Sequence, residues 1–394
     1  MAARLVTRGH LGKMNSCQPL PRRASKIWLM AIGTSLAVIA LLLAGCSFQQ
    51  QTQAPTVVVS TPTAVTQPTN SPEVSELTTT PTAEYKRASV TPSPLSPTPS
   101  PIPATFTPSL TPVPLTPTPT PLVPPFSHIF IIVLENKEFG TVIGAGRGMP
   151  NFNRWASEYT LLTQFYAIRH PSLPNYLALI GGDTFGVDSD CDTCYQNATT
   201  LPDLIEASGR TWKGYFEDMP EACYSANPYI NNYAHKHNPF MYFDDIRLDA
   251  SRCQRSVVPL PQLNADLAAN ALPDFVFIVP NLCNDAHDCG VDVADTWLEA
   301  WVPPLMHTPA YAEGGLIVLT WDEGQGEHTC CGLTTGGGRI ATVLISPWVK
   351  QGFEDDTQYT TYSLLKTISA AWGLPYLGHA ADNSNVLIVK PWKR

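Results

Sequence analysis

Ser172 lies between two prolines in RHPSLPNYLALIGG, Arg169 to Gly182, and from Leu173 the stretch is apolar and helix-compatible until Gly181-Gly182. Proline suits the first turn of a helix, where the N–H it lacks would go unpaired anyway. The spacing therefore predicts a helix with Ser172 at or just before its N-terminus. Unpaired N–H groups and positive dipole gather at such an end, which suits a phosphate or an ionised serine oxygen. A serine there also reads as an ordinary N-cap. The local pattern does not separate the two readings; acids and histidines elsewhere in the chain weigh on the choice.

Four apolar runs read as strands buried on both faces: His128–Leu134, Phe275–Val279, Leu316–Trp321 and Ile340–Ile345. Helical patterns fall between them, with Leu201–Ser208 stopping at Gly209 and Tyr362–Trp372 at Gly373, where a C-cap favours glycine. The alternation predicts a three-layer α/β domain with a mainly parallel central sheet. The first three runs lead directly into Glu135-Asn136, Pro280-Asn281 and Asp322-Glu323. Open parallel sheets bind ligands outside the carboxyl ends of their strands. Glu135, Asn136, Asp322 and Glu323 brought to that edge would form an oxygen-rich pocket for one hard divalent cation, of unspecified identity. Taken singly, each pair is also a common turn former.

His287 stands between acids in Asp285-Ala286-His287-Asp288, on the same edge, and His237 follows Lys236 in the polar-aromatic loop YAHKHNPFMYF. A lone histidine is more often a surface or core residue than a catalytic one, yet it is the side chain that titrates near neutrality. His170, two residues before Ser172, is expected to orient the serine loop. His235, His307, His328 and His379 read as structural or surface residues.

Residues 126–394 form the one globular domain and hold 30 acidic against 16 basic residues, a balance of −14. Such a surface argues against nucleic acid as a partner. A phosphate-handling site in it would need a cation to turn the pocket locally positive. Residues 1–45 carry Arg22, Arg23 and Lys26 ahead of an apolar run that closes in Leu43-Ala44-Gly45-Cys46, with Met14 as an alternative start. This reads as an export signal, and its ending resembles the lipobox of bacterial lipoproteins, which implies lipidation of Cys46. An uncleaved membrane anchor is the alternative, since about 18 apolar residues can span a bilayer. Residues 46–125 are rich in Thr, Pro and Ser and read as a disordered, extended stalk. The expected location is therefore outside the cytoplasm, tethered to the membrane by the N-terminal lipid.

Eight cysteines fall in the globular domain, an even number that reads as disulfides in an exported protein. Cys191-x-x-Cys194 also invites zinc, but no second pair follows at knuckle spacing. Cys283–Cys289 is the most plausible single bridge. Cys330 and Cys331 are expected to have separate partners, because a bridge between neighbours is strained.

The ordered blocks VLENKEF (Val133–Phe139), HPSLPNYLALIGG (His170–Gly182), KHNPF (Lys236–Phe240), PNLCNDAHD (Pro280–Asp288) and TWDEG (Thr320–Gly324) resemble the phosphoesterase family of bacterial and fungal acid phosphatases and phospholipases C. That family is similar in fold to the alkaline phosphatase superfamily. The resemblance implies Ser172 as a nucleophile coordinated to a divalent metal, with Glu135, Asn136, Asp322 and Glu323 as the other ligands or their neighbours. It implies His237 and His287 facing the phosphoryl group, and Asp285 orienting His287; Asn136 and Lys236 are expected to meet the phosphoryl oxygens. The tail block departs from the family, with Thr361 where many members carry histidine before Tyr362-Ser363-Leu364-Leu365. The CxPxR sequence of sulfatases is absent. The expected function is acid-phosphatase-like hydrolysis of a small phosphate ester through a phosphoserine. Alternatives are a phospholipase C, or a surface-binding domain without activity, against which the intact Ser172 and acid pairs argue.

Overall fold

The computed structural model describes residues 121–393; the expected signal sequence, Cys46 and nearly all of the expected stalk lie outside them. Val123 and Phe126 are already buried, so core packing begins at the start of the described chain. The predicted runs become strands β1 (Ile129–Leu134), β7 (Phe275–Val279), β8 (Leu316–Trp321) and β9 (Arg339–Ile345). The sequence pattern did not single out β2 (Thr160–Tyr166), β3 (Trp212–Phe216), β6 (Val257–Pro259), β10 (Phe353–Asp355) or β11 (Tyr359–Thr360). They are short or interrupted: β2 carries half-buried Thr163 and Gln164 at a register shift. A separate hairpin pairs β4 (Tyr229–Ile230) with β5 (Tyr233–Ala234).

The nine-stranded sheet runs β10-β2-β9-β8-β1-β7-β3-β6, with β11 also on β2. Central β1 pairs in parallel with β7 and β8, and every residue of these three strands is buried. Strands buried throughout are covered on both faces, which gives the expected three-layer α/β domain with a mainly parallel sheet. The Ser172–Gly181 helix packs on Thr361–Trp372, and Pro150–Glu158 on Val291–Met306. Among the described strands of this sheet only β9 runs against the rest, pairing antiparallel with both β8 and β2. Its reversal makes the β8–β9 connection a return loop on the carboxyl edge, directly after Asp322 and Glu323. Among the described residues no helix is long and apolar enough to cross a membrane.

Cys283 bridges Cys289 as expected, and Cys191 bridges Cys194, which leaves no thiolate pair for zinc. Cys223 pairs with Cys253. The expectation of separate partners for Cys330 and Cys331 is corrected, because these two bridge each other. The other six cysteines of the domain are already paired, and Cys331 takes up a left-handed backbone with φ 62°.

Buried Asp266 ties β3 to the Pro261–Ala268 helix by accepting from Lys213 Nζ and Tyr215 Oη at 2.6 Å each, and from Gln262 Nε2 at 3.0 Å. Burial alone would raise this carboxyl, but those three donors hold it below the usual range. A carboxyl depressed in the folded state stabilises above its unfolded pKa, and that contribution is lost as pH falls through the folded value. Asp266→Asn should therefore cost about 1.5–3 kcal/mol at neutral pH, with the deficit closing well below the ordinary aspartate value of about 3.9. Urea unfolding of both proteins at the two pH values checks this; an equal deficit at both would remove the charge from the explanation.

Candidate active site

At the end of β1 the chain turns sharply, with Asn136 in the left-handed region (φ 61°) that asparagine tolerates better than most side chains. The turn leaves Glu135 fully buried and sends the Asn136 N–H to Asp322 Oδ1 at 3.0 Å. The Asp322 N–H donates to the Leu134 carbonyl and the Glu135 N–H to the Asp285 carbonyl, each at 2.9 Å. Backbone hydrogen bonds thus lace together the carboxyl ends of β1, β7 and β8.

Ser172 is the first residue of the Ser172–Gly181 helix, which closes on left-handed Gly182. It does not cap that helix. Its Oγ lies 3.1 Å from Glu135 Oε2 and 3.4 Å from Glu323 Oε1. The hydroxyl is aimed by Asn175, one turn further on. Asn175 Oδ1 accepts the N–H groups of Ile168 and Arg169, and Nδ2 donates to the carbonyls of Arg169 and Pro171. The next amide, Leu173 N–H, donates to Asp190 Oδ1 at 3.0 Å.

Glu135, Asp322 and Glu323 are all buried, and their carboxylate oxygens come within 4.8 Å of one another. His237 Nε2 lies 2.9 Å from Glu135 Oε1 as an ion-pair contact, but out of line for a hydrogen bond, and its Nδ1 is 3.5 Å from Asp285 Oδ2. Burial works to raise Glu135, yet the His237 charge and contact, helped by Asp322 and Lys236, bring it down to about 2. Burial opposes the His237 cation, and Glu135 and Asp285 overcome it, lifting the ring to about 9. Asp322 is pushed well above the usual carboxylate range by burial and by the charges of Glu135 and Glu323. Burial also raises Glu323, against the pull of His170. His170 binds Glu323 Oε2 through Nδ1 and the Gly326 carbonyl through Nε2 at 3.0 Å; the Glu323 bond chiefly lifts it to about 9.

Asp322 Oδ2 is buried with neither a hydrogen-bond partner nor an ion-pair contact, whereas Glu135 Oε1, also without a hydrogen bond, is met by His237 at 2.9 Å. Orphaned carboxylate oxygens are costly unless something cationic meets them. A hard divalent cation, which prefers oxygen donors, fits this set.

The structure brings Ser172, Glu135, Asp322, Glu323, His237 and His170 together. Lys236 is at the same pocket, with its Nζ bonded to Asp190 Oδ2 at 2.8 Å. Burial disfavours that ammonium, and Asp190 and Glu135 raise it above its ordinary value. His287 stands at the rim, partly exposed, with Nδ1 on Asp288 Oδ1 at 2.6 Å and its ring centroid 6.1 Å from that of His237. The expected service of Asp285 to His287 is corrected. Its Oδ2 faces the His237 ring, and His287 receives only a backbone contact, N–H to Asp285 Oδ1 at 2.7 Å. The two-residue spacing lets Asp285 close a turn onto the His287 amide and leaves its other oxygen free to point inward. Thr361 is buried at the start of its helix, and the His379 ring lies 5.2 Å from that of the adjacent Tyr362.

Three residues at the site escaped the sequence reading. Tyr176 stacks on His237 with ring centroids 5.2 Å apart, and its i,i+4 spacing from Ser172 was the available signal. Glu138 accepts the N–H groups of Gln325, Gly326 and Arg339, pinning the β8–β9 return loop. Asp190 arrives from a distant loop. For the last two, no local pattern carried the information.

A family model described as the Phosphoesterase family matches residues 146–375, more than half of the chain. This chain belongs to the Phosphoesterase family. It is 35% identical over 272 residues to an acid phosphatase of Aspergillus fumigatus, covering 66% of this chain and 58% of that one. It is 36% identical over 270 residues to a phosphate-repressible acid phosphatase of Penicillium chrysogenum, covering 66% and 63%. The chain thus spans about three-fifths of the length of these fungal relatives. A phosphatidylinositol-3-phosphatase of Mycobacterium tuberculosis is 33% identical over 268 residues, covering 66% of this chain and 81% of that one. A crystal structure of a Vibrio parahaemolyticus protein in the alkaline phosphatase superfamily aligns with TM-score 0.46 and 12% identity over 70% of this chain and 72% of that one.

For this Phosphoesterase-family site, Asp322→Asn keeps the Oδ1 acceptor for Asn136 and replaces a carboxyl that burial and its neighbours already press toward its neutral form. The metal-free variant should melt no lower than the parent. It should also lose the stabilisation a bound divalent ion gives, about 2.7 kcal/mol at a hundredfold excess over Kd. Thermal melts with and without added metal read both effects; full metal-dependent stabilisation in the variant would exclude Asp322 as a ligand.

Proposed function

We propose that this protein hydrolyses phosphate esters, with Ser172 attacking phosphorus and a phosphoserine as intermediate. The observation that carries the reading is Ser172 Oγ, at a helix N-terminus, within 3.1 Å of Glu135 Oε2 and 3.4 Å of Glu323 Oε1. The names of the relatives, acid phosphatases and a phosphatidylinositol phosphatase, support the same reaction class.

Glu135, Asp322 and Glu323, with Asn136 adjoining, would hold one divalent ion, which would supply positive charge for the phosphoryl oxygens and favour ionised Ser172. Glu135 Oε2, held as a carboxylate, would accept the Ser172 hydroxyl and orient it, and the proton lost as Ser172 ionises would pass to solvent. As the Ser172 Oγ–P bond forms and the bond to the ester oxygen breaks, Leu173 N–H and Lys236 are the donors nearest the equatorial oxygens. Such fixed donors supply most of the stabilisation in phosphoryl transfer. His237, held between Asp285 and Glu135 and covered by Tyr176, keeps a positive charge beside the transferring group. His287, reaching the rim, would give its proton to the departing alcohol. Water attacking phosphorus, with its proton restoring His287, would then break the Ser172 Oγ–P bond and leave that electron pair on Ser172, which regains a proton from solvent as phosphate is released.

Ser172→Ala should lower kcat on an aryl phosphate by at least roughly a thousandfold with the melting temperature held. Near-parental turnover in that variant would end the nucleophile assignment. Exhaustive chelation should abolish the activity and metal addition restore it. Activity that survives chelation would count against the carboxylate trio as a metal site.

We further infer that the domain works outside the cytoplasm, tethered through lipidated Cys46 and the Thr/Pro-rich stretch that follows. Cys46→Ala should release the protein from the membrane fraction without changing its specific activity. Continued membrane association of the variant would favour an uncleaved anchor.

A further inference from the structure

The first amide after the reacting serine and the pocket lysine already share an anion. Asp190 Oδ1 accepts Leu173 N–H at 3.0 Å, and Oδ2 accepts Lys236 Nζ at 2.8 Å. A carboxylate bridging two donors in this way has the outline of two oxygens of a phosphoryl group. The same pocket contains buried Asp322 Oδ2, which has no hydrogen-bond partner. Asp190 is half-buried in its pair with buried Lys236, and the Cys191–Cys194 bridge follows it directly in the chain. Other titratable groups within its field are Glu323, Tyr229 and Tyr242, with Asp192 close by.

We propose that Asp190 makes the site selective for phosphoryl groups bearing a single negative charge, namely phosphodiesters and half-protonated monoesters, by occupying the donors that would receive a second charge. The inference rests on Ser172 as the reacting oxygen. A dianion entering beside Ser172 must share Leu173 N–H and Lys236 with a fixed carboxylate, whereas a monoanion meets one fewer like-charge contact. Like charges brought together at an interface are strongly disfavoured. Monoesters lose their second proton near pH ~6, so their acceptable form grows as pH falls. Diesters carry one charge throughout, and their rate should not follow that titration.

The test compares the full-length, metal-loaded protein with Asp190→Asn, which keeps an acceptor for Leu173 N–H and drops the charge. An aryl monophosphate and a bis-aryl phosphodiester are assayed at about pH 5 and about pH 8, on either side of the monoester pKa. Relative to the diester measured alongside, the variant should gain roughly tenfold in kcat/KM on the monoester at the higher pH and little at the lower. Inorganic phosphate, titrated calorimetrically, should bind the variant more tightly at the higher pH. Equal losses on both substrates would overturn the proposal and leave Asp190 as an anchor for Lys236; an unchanged monoester profile would also overturn it. Asp190→Ala provides the same charge removal if the amide fails to fold. Phosphate binding is read without turnover, so a failure of Ser172 as nucleophile, seen as activity in Ser172→Ala, stays separate from a failure of Asp190.

Discussion

Three carboxylates held in a corner from which water is excluded set the terms for everything around them. Glu135, Asp322 and Glu323 repel one another, and burial removes the solvent that would screen them. The protein answers with charge placed to one side: His237 on Glu135, His170 on Glu323, and only a backbone N–H for Asp322. The imbalance divides the three groups. Glu135 is held at about 2, while Asp322 and Glu323 are raised above the usual range, so the metal-free trio favours keeping a proton that a divalent ion would replace.

Such a cluster tolerates little movement, and the surrounding backbone is built accordingly. The reversal of β9 brings the β8–β9 return loop back over the site, where Glu138 gathers three of its amides. Gly324 and Gly338 pass so close to Glu138 that a Cβ at either would collide with its carboxylate. Asn175 fixes the turn before Ser172 with four hydrogen bonds. The serine therefore meets the acids from a rigid helix end, which is the kind of preorganisation phosphoryl transfer relies on.

The acidic balance of the domain and the chemistry of the pocket are connected. With −14 over residues 126–394, the proposed phosphate-ester substrate would approach against the net field. Attraction has to be local, from Lys236, His237, the helix end and a bound cation. Asp190 tempers even that, since it occupies two of these donors.

The sequence by itself determined the layers and the candidate atoms. Runs such as IFIIVL and LIVLTW, short, rich in β-branched residues and apolar without alternation, read as strands covered on both faces, and their ends name Glu135 and Asp322. Pro171 before and Gly182 after placed Ser172 at a helix start, because proline and glycine act through their own backbone limits. What local pattern could not reach were partners set by folding: Asp285 turned to His237, Asp190 laid across Leu173 and Lys236, and Cys330 bridged to its neighbour. Those choices join residues far apart in the chain, or depend on which groups the rest of the fold has already claimed. Only the assembled sheet, with β9 reversed, decides them.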